Sequence, residues 1–339
     1  MGVKTLPPEV LVKRIREIQA QIRQIVLSHI AEQTTEALSS VAAETEGDTI
    51  YAVDRVSEEG LIALFETLAQ ETAFVLIGEG LSESGQVFPE GADPDGVPYR
   101  IIVDPMDGTR GFMYDKRSAW ILTGVAHNRG ANTSLQDIFV AVQTEIPTSK
   151  QFRSDVLWAI RDRGYGVEGY NRLNGKPMPV VLKPSTATTI EHGFAMISRF
   201  FPGGKDLLAK VEEDLVEKLI GPVVPGKARL FEDQYICSGG QFYELMAGHD
   251  RFNADLRPLL ESALIKRGQS LGICCHPYDV CTALIAEEMG VKVTNAQAER
   301  LNAPLNTTHP VAWVAYANKT LQKNMEPLLQ EVLRQYGWV

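Results

Sequence analysis

Five short runs of apolar and β-branched residues constrain the fold of this chain more than any other feature. They occupy residues 73–77, 99–103, 119–126, 138–142 and 156–160. Runs of this length, separated by Gly, Pro and Asn, are typical of buried β-strands. Because they follow one another closely, the sequence predicts a multi-stranded, mostly antiparallel sheet in the first half of the chain.

Helical periodicity lies on both sides of this strand-rich region. Before it, residues 8–34 and 57–70 repeat apolar residues every three or four positions, and Ser57 is suited to be the N-cap of the second helix. The acidic stretch between them, residues 33–48, predicts a mobile loop. The later elements are predicted as helices at 205–220, around 238–248 and at 279–289, a strand at 311–317 and a C-terminal helix. We therefore expect an N-terminal α+β half, residues 1–195, and a C-terminal α/β half, residues 196–339.

Composition excludes several classes of protein. With 339 residues, the chain is long enough for two domains or one large α/β unit. No stretch approaches the ~20 apolar residues of a membrane span, and the N-terminus lacks the apolar core of a secretory signal. The four cysteines lack zinc-type spacing, which favours reduced thiols and a cytoplasmic location. A formal charge of −10 argues against a nucleic-acid polymer as partner.

The acidic residues are concentrated in one part of the chain. Between Glu32 and Asp95 there are fifteen Asp or Glu and one basic residue, Arg55, a local net charge of −14. Such a run is usually a solvated face. It is also consistent with carboxylates that line a cation site, and composition does not distinguish these interpretations.

The segment IIVDPMDGTRGF, residues 101–112, carries the clearest chemical signal. A buried strand is predicted to end at Asp104, Pro105 stops strand pairing, and Gly108 permits a sharp turn. Asp104 and Asp107 can then face one cation, while backbone N–H groups of the turn offer an anion site. Carboxylates this close repel each other unless a metal neutralises them, and Mg²⁺ prefers oxygen ligands of this kind.

Two further acidic residues accompany this segment. Glu79 follows a predicted strand and lies between glycines in VLIGEG, where a surface turn is an equally good interpretation. Asp279 begins an apolar helix in HPYDVCTALIAEEMG, where it is also suited to be a simple N-cap.

The ordered segments GDTIYAVD, IGEG, DPMDGT and HPYDVCTALIAEEMG resemble the inositol monophosphatase-like family over nearly the whole chain. These are lithium-sensitive, magnesium-dependent phosphatases, with fructose-1,6-bisphosphatases and 3′-phosphoadenosine-5′-phosphate phosphatases among their relatives. The resemblance implies a layered αβαβα sandwich of the sugar phosphatase type. It also implies hydrolysis of a small phosphomonoester, two or three Mg²⁺ per site, inhibition by Li⁺ and a homodimer.

The resemblance also implies residue roles. Asp54 and Thr109 would orient the attacking water, with Glu79 contributing to catalysis as a metal ligand. The implied metal ligands are Glu79, Asp104, the carbonyl of Met106, Asp107 and Asp279. The implied substrate-binding residues are Gly108, Thr109, Arg110, Ser238 and Gly239.

Some positions depart from the family pattern. Gly80 stands where a second glutamate is usual, and no basic residue lies between Arg23 and Arg55, where the family loop often carries a lysine. Gly272 replaces an acidic residue that contacts the inositol ring, so myo-inositol phosphate is not supported as the substrate. Arg110 stands in a DGTRGF segment similar to that of some phosphoadenosine phosphatases; it is expected either to contact a second phosphate or to be a surface residue.

The sequence is also compatible with two alternative functions. A haloacid-dehalogenase-type phosphatase also has an Asp, Gly and Thr motif, with a covalent aspartyl intermediate. In that motif one residue separates the two acids, whereas Pro105 and Met106 separate them here. A catalytically silent relative that binds a phosphorylated ligand is the second alternative, motivated by Gly80 and the lysine-free loop.

Overall fold

The computed structural model describes residues 5–31, 33–44, 49–78, 81 and 85–339, and only the backbone of 42–44, 49–50 and 52–59. The helices are α1 Pro8–Ile30, α2 Thr35–Leu38, α3 Ala52–Ala69, α4 Thr109–Phe112, α5 Lys205–Ile220, α6 Ser238–Ala247, α7 Glu261–Lys266, α8 Ala283–Met289 and α9 Lys319–Gln335. The strands are β1 Val41–Glu44, β2 Thr49–Tyr51, β3 Phe74–Gly78, β4 Gln86–Phe88, β5 Tyr99–Asp107, β6 Ala119–His127, β7 Ile138–Ile146, β8 Arg153–Ile160, β9 Gly164–Asn171, β10 Lys176–Met178, β11 Phe194–Ile197, β12 Asp250–Asp255, β13 Lys292–Thr294 and β14 Trp313–Tyr316.

Eight strands form the larger sheet, in the order β10-β9-β8-β7-β6-β5-β3-β4. All neighbours in it are antiparallel except β3 and β5, which run parallel. The predicted mostly antiparallel sheet is confirmed. The smaller sheet has the order β11-β12-β14-β13, with β11 and β12 parallel.

The elements stack in five layers. Helices α1 and α3 pack together, and both contact the larger sheet. Helices α6 and α8 contact that sheet and also the smaller one, so they form the middle helical layer. Helices α5 and α9 pack against each other and against the smaller sheet. This is the αβαβα sandwich that the sequence resemblance implied.

Strand β5 shows why the larger sheet is covered on both faces. Ile101 and Val103 belong to the apolar core that includes residues of α1, whereas Ile102 belongs to the core shared with the smaller sheet. Successive side chains of a strand point to opposite faces, so a continuous apolar run fills two cores. The sheet is thereby fixed between two helical layers, and the end of β5 has one defined position.

Two local predictions at the N-terminal side were wrong. Helix α3 begins at Ala52, so Ser57 lies within the helix and is not its N-cap. The stretch 33–48 was expected to be a loop, but it contains α2 and β1, while residues 45–48 lie outside the described part. Thr34 accepts the N–H of Ala37 and so starts α2, a short-range contact that apolar periodicity does not reveal. Among the described residues, no helix is long and apolar enough to cross a membrane.

Candidate active site

The end of β5 contains an irregularity that brings two carboxylates to one side. Asp104 pairs with Leu122 of β6, and Asp107 pairs with Trp120, so three steps along β5 match two along β6. In a regular strand, residues three apart point to opposite faces, but one extra residue restores them to the same face. Because of this bulge, Asp104 and Asp107 point to the same side of the sheet.

Hydrogen bonds fix the turn that follows. The Asp104 carboxylate, only 1% exposed, accepts the N–H of Met106 at 2.9 Å. The Thr109 hydroxyl donates to the Met106 carbonyl at 2.9 Å. Gly108 has φ +94°, and a Cβ there would lie 3.0 Å from Cys237. A side chain is disfavoured at this position on both grounds, which confirms the predicted sharp turn.

Asp279 reaches the same place from the C-terminal half. It lies in a 3₁₀ turn, Pro277–Val280, and its carboxylate accepts the N–H of His276 at 2.5 Å. The predicted helix at 279–289 therefore starts late: α8 begins at Ala283. Asp279 caps its own tight turn, because a 3₁₀ turn places its side chain beside the N–H three residues earlier.

The three aspartates meet in one cluster. Asp104, Asp107 and Asp279 each offer an oxygen, and these atoms all lie within 4.8 Å of one another. Asp107 also accepts the N–H of Gly239, at the start of α6, at 2.6 Å. Burial raises the pKa of Asp107 to about 6, although the bond from Gly239 and the charge of Arg257 oppose the rise. The fold thus holds Asp107, beside two further acids, in a place where its ionisation is costly.

Other residues singled out from the sequence surround this cluster. Met106, Gly108, Thr109, Arg110 and Ser238 line the same pocket as the three aspartates. Gly239 does not line the pocket but donates its N–H to the Asp107 carboxylate. A Cβ on Gly239 would lie 2.6 Å from Leu122. Close packing of α6 against the sheet is what brings this N–H to the carboxylate.

Three residues of the sequence prediction are not tested. Glu79 and Gly80 lie outside the described residues. Asp54 lies in the first turn of α3, and its side chain is not described. Their roles remain predictions.

Sequence reasoning missed several residues that line the pocket, among them Phe200, Phe201, Cys237 and Arg257. Cys237 is the N-cap of α6, where its sulfur accepts the N–H of Gly240 at 3.1 Å. Phe200 and Phe201 follow β11, and Arg257 follows β12, so chain order alone does not place them near Asp104. A cysteine directly before a Ser-Gly-Gly segment was the only local sign, because N-caps are often small polar residues.

The donor set fits a hard divalent cation. It consists of three carboxylates with the Met106 carbonyl close by, held by the Thr109 hydroxyl. Mg²⁺ prefers oxygen donors and one or two carboxylates together with water and phosphate oxygens. A cation among these aspartates would also remove the repulsion that their proximity creates.

A layered αβαβα fold with paired acids after a central strand defines the class of sugar and inositol phosphatases, and comparison with known proteins agrees. A family profile described as the inositol monophosphatase family matches residues 8–214. The chain therefore belongs to the inositol monophosphatase family. Members of this family are phosphatases, so hydrolysis of a phosphorylated small molecule is the general activity that membership indicates. The comparison with curated proteins finds no match.

Solved structures with the same fold include a fructose-1,6-bisphosphatase, a hypothetical protein and an extragenic suppressor protein. Fructose-1,6-bisphosphatase of Leishmania major has a TM-score of 0.65 at 14% identity, with 98% of this chain and 96% of that chain covered. A hypothetical protein of Pyrococcus horikoshii with similarities to inositol-1 monophosphatase has a TM-score of 0.60 at 17% identity, with coverage of 95% and 98%. The extragenic suppressor protein SuhB of Bartonella henselae has a TM-score of 0.61 at 14% identity, with coverage of 95% and 99%. At these identities the likeness shows the fold.

Proposed function

We propose that this protein hydrolyses a small phosphomonoester, such as an inositol, sugar or nucleotide phosphate, in a Mg²⁺-dependent reaction. The observation that carries the proposal is the meeting of Asp104, Asp107 and Asp279 within 4.8 Å in a pocket. Acids from distant parts of the chain are held together at an electrostatic cost, and a cation-dependent activity accounts for that cost.

Asp104, Asp107 and Asp279 would hold Mg²⁺ through carboxylate oxygens, with the carbonyl of Met106 and with Glu79 as further proposed ligands. Two or three ions per site are proposed. Bound there, Mg²⁺ would supply neutralisation of the phosphate charge and a lower pKa for water near the phosphorus.

The chain itself would bind and orient the phosphate. On the family resemblance, the backbone N–H groups of Gly108, Thr109 and Arg110 are proposed to donate to phosphate oxygens. The Thr109 hydroxyl donates to the Met106 carbonyl, which fixes its position in the turn. Together with Asp54, it is proposed to orient the attacking water in line with the departing alkoxide. Ser238 and Gly239 are proposed to border the leaving group.

Further properties are proposed, the first and third from the family resemblance and the others from the sequence pattern. They are inhibition by Li⁺, a cytoplasmic location, assembly as a homodimer, and a division of the chain into residues 1–195 and 196–339.

Phosphate release from a panel of phosphomonoesters tests the proposal. The panel contains inositol phosphates, fructose 1,6-bisphosphate and 3′-phosphoadenosine 5′-phosphate, each assayed with Mg²⁺ and with EDTA. We expect hydrolysis of at least one compound with Mg²⁺ and none with EDTA. Mg²⁺ binding without hydrolysis of any compound would contradict the proposal and favour a silent, ligand-binding relative. A phosphoenzyme trapped on Asp104 would favour a covalent mechanism instead.

A further inference from the structure

A buried arginine lies in the same pocket as the three aspartates, outside every role assigned above. Arg257 follows β12 and is only 8% exposed, yet it lines the pocket. Buried arginines are rare unless they are paired. The contacts of Arg257 therefore show whether it has hydrogen-bond donors left for a substrate.

Arg257 is held rigidly on one side. Its Nε donates to both carboxylate oxygens of Asp255, at 2.9 and 3.1 Å, and one Nη donates to the same carboxylate at 2.5 Å. The other Nη donates to the Ile273 carbonyl at 2.9 Å. Burial alone would lower the pKa of Arg257, but the Asp255 carboxylate outweighs it and the pKa is raised. The guanidinium is therefore charged and fixed in orientation.

Two of its hydrogen-bond donors are not used in these contacts. A guanidinium has five N–H groups, and each Nη carries two. One hydrogen on each Nη of Arg257 has no acceptor among the residues that the structure describes. In a side chain this buried, unsatisfied donors of a charged group are costly, and Arg257 borders a pocket from which a ligand can supply the missing acceptors.

Two phenylalanines complete this wall. The guanidinium of Arg257 stacks on Phe200, 4.5 Å from its ring centroid, and lies 5.3 Å from that of Phe201. Arg110 lies 5.2 Å from the same Phe201 ring. The pocket thus joins an acidic side, where a cation fits, to a side with two guanidinium groups around one aromatic ring.

We propose that Arg257 binds a second acidic group of the substrate, a phosphate or a carboxylate, while the scissile phosphate lies at the three aspartates. Planar guanidinium donors match the oxygens of both groups, and a donor pair already fixed by Asp255 loses little entropy on binding. This proposal rests on the proposed function and narrows it. The preferred substrates are small phosphomonoesters with a second anion, rather than neutral polyol phosphates.

Matched substrate pairs test this assignment. One pair is fructose 1,6-bisphosphate and fructose 1-phosphate, in which the second group is a phosphate. The other is 3-phosphoglycerate and glycerol 3-phosphate, in which it is a carboxylate. We expect the native protein to prefer the acidic member of at least one pair by about tenfold or more in kcat/KM, mainly through KM, as for a charge-assisted hydrogen bond. Equal kcat/KM within both pairs would overturn the assignment.

A double variant links the preference to Arg257. Asp255→Asn with Arg257→Gln removes both buried charges together and leaves no unpaired ion. We expect the ratio of kcat/KM values within the preferred pair to fall about tenfold or more. The control is Asp206→Asn with Arg267→Gln, which removes an exposed Asp–Arg pair with bonds of 2.9 and 2.8 Å. Neither of its residues lines the pocket, so its ratio should match that of the native protein. An unchanged ratio in the first variant would contradict the proposal.

Anion binding by Arg257 and phosphomonoester hydrolysis can fail independently of each other. If no compound of either pair is hydrolysed, the proposed phosphatase function fails for these compounds, and calorimetric binding of the same pairs still decides the role of Arg257. Tighter binding of the acidic member to the native protein, lost in the double variant, supports it, and equal binding contradicts it. If the double variant does not fold, the native protein's preference within each pair decides alone.

Discussion

The three aspartates in the pocket and Asp255, the partner of Arg257, are stabilised in different ways. Asp255 accepts N–H groups of the fully charged Arg257. For Asp104, Asp107 and Asp279, the hydrogen bonds described above come from the backbone N–H groups of Met106, Gly239 and His276. Each of these N–H groups carries only partial charge, and a cation bound among the three carboxylates would reduce their mutual repulsion. Asp255 is thus paired with one charged side chain, whereas the other three carboxylates lie within 4.8 Å of one another, an arrangement that a cation can bridge.

The largest effect is expected from removing one charge of the three-aspartate group. Asp104→Asn keeps the shape of the side chain but loses a negative ligand, so turnover of any phosphomonoester should fall by about three orders of magnitude or more. Phosphate release at saturating Mg²⁺ measures it. The melting temperature should stay close to that of the native protein. Asp206→Asn, an exposed acid outside the pocket, serves as control and should keep full activity. Near-native turnover of Asp104→Asn would refute the assignment.

The second effect concerns stability and the arginine-paired group. Arg257→Gln alone leaves Asp255 buried without its counter-charge, and we expect the free energy of unfolding to fall by about 3–5 kcal/mol. Arg267→Gln breaks a solvent-exposed pair with Asp206 and should cost far less, because solvent screens that pair. Urea denaturation of both variants measures the difference. Equal losses would show that burial does not distinguish the two pairs.

The turn that holds the aspartates gives a third, smaller effect. Gly108→Ala combines a positive φ with a Cβ only 3.0 Å from Cys237, so a loss of about 2–4 kcal/mol is expected together with reduced turnover. Gly290→Ala is the matched control: its backbone is left-handed in the same way, with φ 101° and ψ −2°, but nothing lies within 4 Å of the added Cβ. It should cost only about 1 kcal/mol and leave turnover unchanged. If both variants lose the same stability, the close approach to Cys237 has no energetic weight.

The smallest expected effect is the pH dependence of stability, which again compares a buried acid with an exposed one. Burial, with Glu244 and Asp233 nearby, raises the pKa of Asp250 from 3.8 to about 6. The native state then keeps a proton that the unfolded chain releases, so this contribution is complete below pH 3.8 and is lost as the pH rises through 6. The slope is at most about 1.4 kcal/mol per pH unit. Asp250→Asn should remove it in urea denaturation at several pH values.

Asp206 provides the opposite sign. Its bond to Arg267 lowers its pKa, so its contribution is present above the unfolded value and is lost as the pH falls. Asp206→Asn should therefore change stability at neutral pH and not in acid. Slopes of the same sign for the two aspartates would contradict the interpretation.

Much of the fold and the central turn could be predicted from sequence, because the information is local. The run before Asp104, with Pro105 and Gly108 after it, specifies a strand that ends in a sharp turn. Arg257 could not be predicted, because its pairing depends on where β12 ends relative to the loop that carries Ile273. The late start of α8 was missed for a related reason. Asp279 satisfies a helix N-cap and a 3₁₀ turn equally well as a sequence pattern, and packing of the middle helical layer decides between them.

Calorimetric titration of Mg²⁺ into the native protein and into Asp279→Asn shows whether the three aspartates bind one cation together. Asp279 lies far along the chain from Asp104 and Asp107. Its replacement can therefore weaken cation binding at those two residues only if all three carboxylates bind the same cation. We predict that the native protein binds Mg²⁺ and that the variant binds it about tenfold more weakly or worse, as expected when a ligand is lost from a carboxylate site. Equal Mg²⁺ affinity in the two proteins, or no binding by the native protein, would contradict the account.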